Sequence, residues 1–175
     1  MKNNNNKNSF AHVWAPWRME YIRMPREDKP EGCIFCNKPK DEKDQDDLIL
    51  YRGKHVFVIM NRYPYNNGHL MVVPYRHLQD YNDLNKEELL ELAEVTQMTI
   101  SILKKKMSPQ GFNVGFNLGE SAGAGIAEHI HQHIVPRWTG DTNFMPVLCH
   151  TKVMVDGLNE CWMELKKAFD DYVGK

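Results

Sequence analysis

Apolar residues recur along this chain with two different periods, and each period predicts a different element. His55-Val56-Phe57-Val58-Ile59-Met60 and His69-Leu70-Met71-Val72-Val73-Pro74 are short runs rich in β-branched and apolar side chains, which predict strands. Residues 61–68 between them (Asn-Arg-Tyr-Pro-Tyr-Asn-Asn-Gly) are rich in turn formers and suit an antiparallel connection. The period then lengthens. Leu89, Leu92, Ala93, Thr96, Ile100 and Leu103 recur on one helical face, Asn85 can cap that helix with Glu88 completing a capping box, and Pro109 with Gly111 ends it. Alternation by two returns in residues 112–118, with Phe112, Val114 and Phe116 set against Asn113, Gly115 and Asn117, and predicts a half-buried strand. Leu158, Trp162, Leu165 and Phe169 mark a helix near the carboxyl terminus.

An antiparallel sheet with a main helix after its second core strand and a helix at the end is an α+β fold. At 175 residues one domain with a real core is expected. It is placed at 10–175, after an Asn- and Lys-rich disordered tail at 1–9. Residues 10–22 concentrate Phe10, Trp14, Trp17, Tyr21 and Ile22 around Pro16, which predicts an ordered aromatic arm. The acidic run 41–47 reads as a solvated loop.

Composition narrows the function classes. With 42% hydrophobic and 26% charged residues the chain resembles ordinary globular proteins, and no apolar run reaches the length of a membrane span. There is no secretory signal pattern at the amino terminus, so a cytoplasmic location is expected. A net charge of -1 argues against a stable nucleic-acid partner, whose grip needs many Lys and Arg residues. Lys104-Lys105-Lys106 falls where a helix terminus favours cations.

The chemistry concentrates in Glu128-His129-Ile130-His131-Gln132-His133-Ile134-Val135-Pro136. A spacing of two is the repeat of one strand face, so the three imidazoles should project together, with Ile130, Gln132 and Ile134 opposite. Neutral imidazole serves as a metal ligand and also as a nucleophile or proton shuttle at neutral pH. An open catalytic zinc site and a nucleophilic site therefore compete. The small-residue loop 119–125 before the row could let a ligand approach the backbone, or be only a turn. Cys33 and Cys36 form a C-x-x-C, which in a reducing compartment suggests metal or redox chemistry; Cys149 and Cys161 stand alone.

The row His129-x-His131-x-His133, preceded by Asn117 and the small-residue loop, resembles the histidine triad family of nucleotide hydrolases and transferases. Asn61-Arg62-x-Pro64-x-x-x-Gly68-His69, the C-x-x-C and Trp14-Ala15-Pro16-Trp17-Arg18 look like further parts of it. The last, with Trp138-Thr139-Gly140-Asp141-Thr142-Asn143-Phe144, is similar to a bacterial branch that includes diadenosine tetraphosphate phosphorylases. The resemblance implies nucleotidyl transfer or hydrolysis at the α-phosphate of a dinucleoside polyphosphate. His131 would attack to form a nucleotidyl-histidine and His133 would attend the phosphate or the departing oxygen. It further implies substrate contacts from Asn61, Asn117 and the backbone of Gly123, Ala124 and Gly125, with Trp138 stacking on a base or packing under a loop. Ile126 stands where many members carry Ser or Thr, and the loop is one residue longer than in the smaller members. A structural zinc on Cys33, Cys36, His77 and His129 is implied too, with no organic cofactor, and a homodimer or higher oligomer is expected. Hydrolysis of a nucleoside phosphoramidate or aminoacyl-adenylate, and nucleotide sensing with incidental turnover, are the alternatives. His69 reads as a structural histidine near the turn.

Overall fold

In the computed structural model, residues 31–141 and 157–174 are described. The expected tail and aromatic arm, together with Cys149, lie outside those residues. Elements follow in the order α1 (Ile34–Asn37), α2 (Asp44–Asp47), β1 (Ile49–Arg52), β2 (Val56–Met60), β3 (Leu70–Pro74), α3 (Lys86–Met107), β4 (Gly111–Phe116), β5 (Gln132–Arg137) and α4 (Leu158–Val173), with short 3-10 turns between some of them. The strands form one antiparallel sheet in the order β1-β2-β3-β5-β4. This is the expected α+β architecture.

Helices α3 and α4 pack on each other and against the sheet, so β2 and β3 are buried along their whole length. The capping box at the start of α3 forms in full: Glu88 N–H donates to Asn85 Oδ1 and Asn85 N–H donates to Glu88 Oε2, both at 2.9 Å. The buried stripe of α3 is Leu92, Val95, Thr99, Ile102 and Leu103, while Ala93 is exposed. The expected stripe was rotated because sequence periodicity does not say which sheet residues the helix meets. On α4, Trp162 Nε1–H reaches the carbonyl of Ile49 at 3.2 Å and ties the last helix to the first strand.

Two departures from expectation bear on the site. The acidic run contains a helical turn, α2, closed by Leu48 in the left-handed region at φ 63°, and its carboxylates are paired: Asp44 with Arg52 at 2.7 Å and Asp47 with Lys38 at 3.1 Å. That turn brings Leu48 into the core ahead of β1, a strand the periodicity did not predict. Second, β5 starts only at Gln132, so His129 and His131 precede the strand that carries His133. Ile130 N–H is drawn away to Leu78 O at 2.8 Å, and the ladder to β3 begins at the Val72–Gln132 pair. The alternation survives ahead of the strand: Ile130 packs with Leu78 and Leu84, and Gln132 meets Thr96 of α3.

Candidate active site

Across the sheet, Ile59, Met71, His133 and Gly115 are register partners, so one row of side chains passes from β2 through β3 and β5 to β4. Ile59, Met71 and His133 face a cleft of about 720 Å³. Leu48, Met60, Ile34 and Phe35 add apolar wall, and Asn37, Lys38, Asp41 and Asp47 a polar rim. Such a mixture, mostly apolar with convergent polar groups, is the usual make-up of a small-molecule site. His131, His133, Asn61, Asn117, Gly123, Ala124 and Gly125 all line it.

His129 lies beside the cleft and faces the cysteines. Cys33 Sγ is 3.2 Å and Cys36 Sγ 3.5 Å from His129 Nδ1, and His77 Nδ1 is 3.4 Å from Cys36 Sγ. The four ligand atoms all lie within 4.8 Å of one another. Two thiols and two imidazoles gathered this closely suit a tetrahedral cation such as zinc. The other nitrogen of His129 donates to Pro74 O at 2.9 Å, which fixes the tautomer that leaves Nδ1 free to ligate. Burial, reinforced by His77 and His131 nearby, lowers the His129 pKa and keeps the ring neutral, its ligand form. Burial, then the adjoining Cys33, pushes the Cys36 thiol up, so ligation would have to draw off its proton.

At the other end of the row, donor and acceptor logic sets the protons. A carbonyl only accepts, so the 2.8 Å contact from His131 Nδ1 to His129 O places a hydrogen on Nδ1 and leaves the Nε2 lone pair bare in the neutral ring. Burial lowers the His131 pKa, favouring that neutral ring. Tyr65 N–H only donates, at 3.0 Å to His69 Nδ1, so the His69 proton is on Nε2. That proton points to His133 Nδ1 at 2.9 Å, and neutral His133 therefore carries its own hydrogen on Nε2. Asn117 Nδ2 sits 3.4 Å from that Nε2. His69 is 1% exposed, bonded to the turn through Tyr65 N–H and Asn66 O and placed between the Tyr65 and His133 rings, which agrees with a structural histidine near the turn and adds its contact with His133 behind the cleft. The signal was available in Gly68-His69, but only the fold shows which nitrogen it meets.

Other expectations change as well. Gly119 and Gly123 take φ of 80° and 85°, and the loop closes on itself: Gly123 N–H donates to Glu120 O at 2.9 Å and Ala124 N–H to Gly119 O at 3.3 Å. These two expected phosphate donors are thus engaged within the loop, whereas the Gly125 and Ile126 amides take no part in those bonds. Trp138 is not among the residues lining the cleft; its indole N–H donates to Met107 O at 3.3 Å, the packing role. Its backbone N–H, the Arg137 guanidinium and Asn66 all converge on Asp141, which orders the chain after β5.

This sheet, with its histidine row at a cleft, defines the class: a family model for the HIT domain matches residues 42–140, and the chain belongs to that family. The AP-4-A phosphorylase of Mycobacterium tuberculosis (strain ATCC 25618 / H37Rv) is 42% identical over 153 residues, 85% of this chain and 78% of that protein. That similarity matches the bacterial branch within the family, whose named members are enzymes. Among solved structures, a Zn-bound histidine triad family protein from Mycobacterium smegmatis superimposes with TM-score 0.65 at 24% identity, over 82% of this chain and 96% of that one. A hypothetical histidine triad nucleotide-binding protein from Sulfolobus tokodaii gives TM-score 0.64 at 27% identity, over 81% and 92%. The family match begins at residue 42, after the C-x-x-C turn.

Proposed function

We propose that this enzyme cleaves a dinucleoside polyphosphate by nucleotidyl transfer through His131, with phosphorolysis of diadenosine tetraphosphate as the preferred reaction. The observation that carries the reading is the pair of opposed tautomers: His131 offers a lone pair at Nε2, and His133 offers a hydrogen at Nε2. The ring centroids are 4.9 Å apart and both rings line the cleft, so one phosphoryl group presented from the cleft would meet a nucleophile from one ring and a hydrogen-bond donor from the other. The similarity to an AP-4-A phosphorylase supports the choice of substrate.

In the first displacement His131 Nε2 bonds to the α-phosphorus, the bond to the bridging oxygen breaks, and His133 Nε2–H hydrogen-bonds to that oxygen as ATP departs as the anion. In the second, a phosphate oxygen attacks the same phosphorus, the P–N bond breaks, and ADP leaves with His131 neutral again. Water in place of phosphate would give AMP. Asn117 would donate from Nδ2 to a phosphate oxygen beside His133, and the Gly125 and Ile126 amides would supply the backbone donors. Asn61 would face the ribose, with Ile59, Met60 and Met71 flanking the base. Zinc on Cys33, Cys36, His77 and His129 would brace the site, since four protein ligands leave no open position for water. A homodimer is the proposed assembly; β4 is a sheet edge whose Val114 is 43% exposed, which supports pairing there. Among the described residues no helix is long and apolar enough to cross a membrane, and a cytoplasmic site of action fits the thiol-rich cluster.

The test is product analysis of diadenosine tetraphosphate turnover with and without inorganic phosphate. ADP with ATP, formed only when phosphate is present, is expected. AMP with ATP in its absence would make the protein a hydrolase. Tight ADP binding with no turnover under either condition would overturn nucleotidyl transfer.

A further inference from the structure

Phe35 sits in the middle of Cys33-Ile34-Phe35-Cys36, between two residues of the metal cluster, and is itself no ligand. Its ring is 2% exposed and lies against two imidazoles at once, 5.4 Å from His129 and 5.0 Å from His131, centroid to centroid. We propose that Phe35 is a positioning residue for His131, and that a cation on Cys33, Cys36, His77 and His129 holds it in place. The proposal rests on the reading of His131 as the nucleophile.

Geometry leaves the His131 ring needing such a neighbour. One hydrogen bond, from Nδ1 to His129 O, fixes a single point on the ring but leaves it free to swing about that bond. Two contacts close the remaining directions: His133 on one side, at 4.9 Å and 74°, and Phe35, at 5.0 Å and 48°. Two of these three restraints, the His129 carbonyl and the Phe35 ring, belong to residues that are in the metal cluster or flanked by it in sequence. The turn itself is slight. α1 has four residues, held by Cys36 N–H and Asn37 N–H converging on Cys33 O at 3.1 and 3.0 Å. A turn this short has little intrinsic stability, so cross-linking its two thiols to His77 and His129 is what would keep Phe35 seated. The same turn presents Ile34, Asn37 and Lys38 to the cleft, so the cation would act on substrate binding through the wall and on chemistry through Phe35. A nucleophile displaced by about 1 Å can cost as much as 100-fold in rate.

Phe35→Leu separates these roles, with Phe35→Met as a second variant should Leu leave the chain unfolded. Each is compared with the wild type, with zinc bound and after chelation, by zinc content, melting temperature, ADP affinity and the kcat and KM of the phosphorolysis. Zinc content near that of wild type, ADP affinity and KM each within about twofold and kcat down about tenfold are expected for the zinc-loaded variant. Chelation should lower the melting temperature of wild type and variant alike and raise KM in both. It should lower kcat about tenfold in wild type alone, because Phe35 no longer transmits the effect in the variant. Additive losses of kcat, an unchanged kcat in the zinc-loaded variant, or a loss confined to KM would each overturn the proposal. A His131→Ala protein that still turns over at the wild-type rate would instead remove the nucleophile reading beneath it.

Discussion

His129 and His133 stand at opposite ends of one row, both buried, and each has one ring nitrogen committed to a partner behind the site. What differs is the partner and what meets the other nitrogen. His129 donates to a carbonyl, so its free nitrogen is a lone pair, and the C-x-x-C turn folds two thiols onto it. His133 accepts from His69, so its Nε2 carries a hydrogen and lies beside Asn117 at the cleft. In the proposed reaction the identity of the back partner, an acceptor in one case and a donor in the other, would make the same side chain a ligand at one end and a hydrogen-bond donor at the other. In the proposed reaction His131, between them, would be oriented by the first end and work with the second.

The largest effect expected from breaking this division is at its centre. His131→Ala should lower kcat by about 10⁴-fold or more while ADP still binds and the melting temperature moves by only a few degrees. Wild type quenched in alkaline denaturant should carry a nucleotidyl group on His131, and trapping it on another residue would reassign the nucleophile.

The back partner of His133 comes next. His69→Phe removes the donor that sets the His133 tautomer and should cost about 100-fold in kcat. The loss should be largest for poor leaving groups, as in a phosphoramidate, and smallest for a nucleotide ester of p-nitrophenol, whose departure needs no proton. Equal losses on both substrates would reduce His69 to a packing residue.

Sequence carried the site unevenly, and the two ends explain why. Alternation in residues 129–133 placed three imidazoles on one side, and that held even though β5 starts only at Gln132: His129 and His131 both lie against Phe35 and His131 against His133, while Ile130 turns to Leu78 and Leu84. The division of labour was not in the spacing. It depends on Pro74 O, Tyr65 N–H and His69 Nε2, contacts with other parts of the chain whose direction no periodicity encodes. For the same reason the small residues of the loop suggested Gly123 and Ala124 as phosphate donors, although the left-handed turns at Gly119 and Gly123 direct those amides inward. Strands β2 and β3 and the capping box of α3 were legible because they are local, whereas β1 was hidden behind the acidic run and the buried face of α3 depended on the sheet it met.

The metal end should respond first in stability. Cys36→Ser, or chelation of the wild type, is expected to lower the melting temperature by about 5–15 °C. It should leave measurable turnover below that temperature, reduced to the extent that Phe35 and the cleft wall shift. Turnover abolished with the fold and melting temperature intact would mean that the cation activates water, and the two ends would then share one chemistry.

The smallest effect, and the one that tests both ends in a single titration, is on pH. Burial lowers the pKa of His131, so its reactive neutral form should persist below the ordinary imidazole value of about 6.5, with kcat/KM flat through neutrality and falling only on the acid side of that value. His129 is lowered in the same direction, first by burial and then by His77 and His131. Its folded pKa lies below its unfolded one, so the stability it contributes is full above about 6.5 and is lost as pH falls toward the folded value. Two acid limbs should therefore appear below neutrality: a loss of rate that reverses at once when the pH is restored, and a loss of melting temperature accompanied by zinc release. Rapid pH-jump assays separate them. A rate limb that recovers only when zinc is added back would place its origin at His129, and one centred at or above 6.5 would mean that His131 works as a solvated ring.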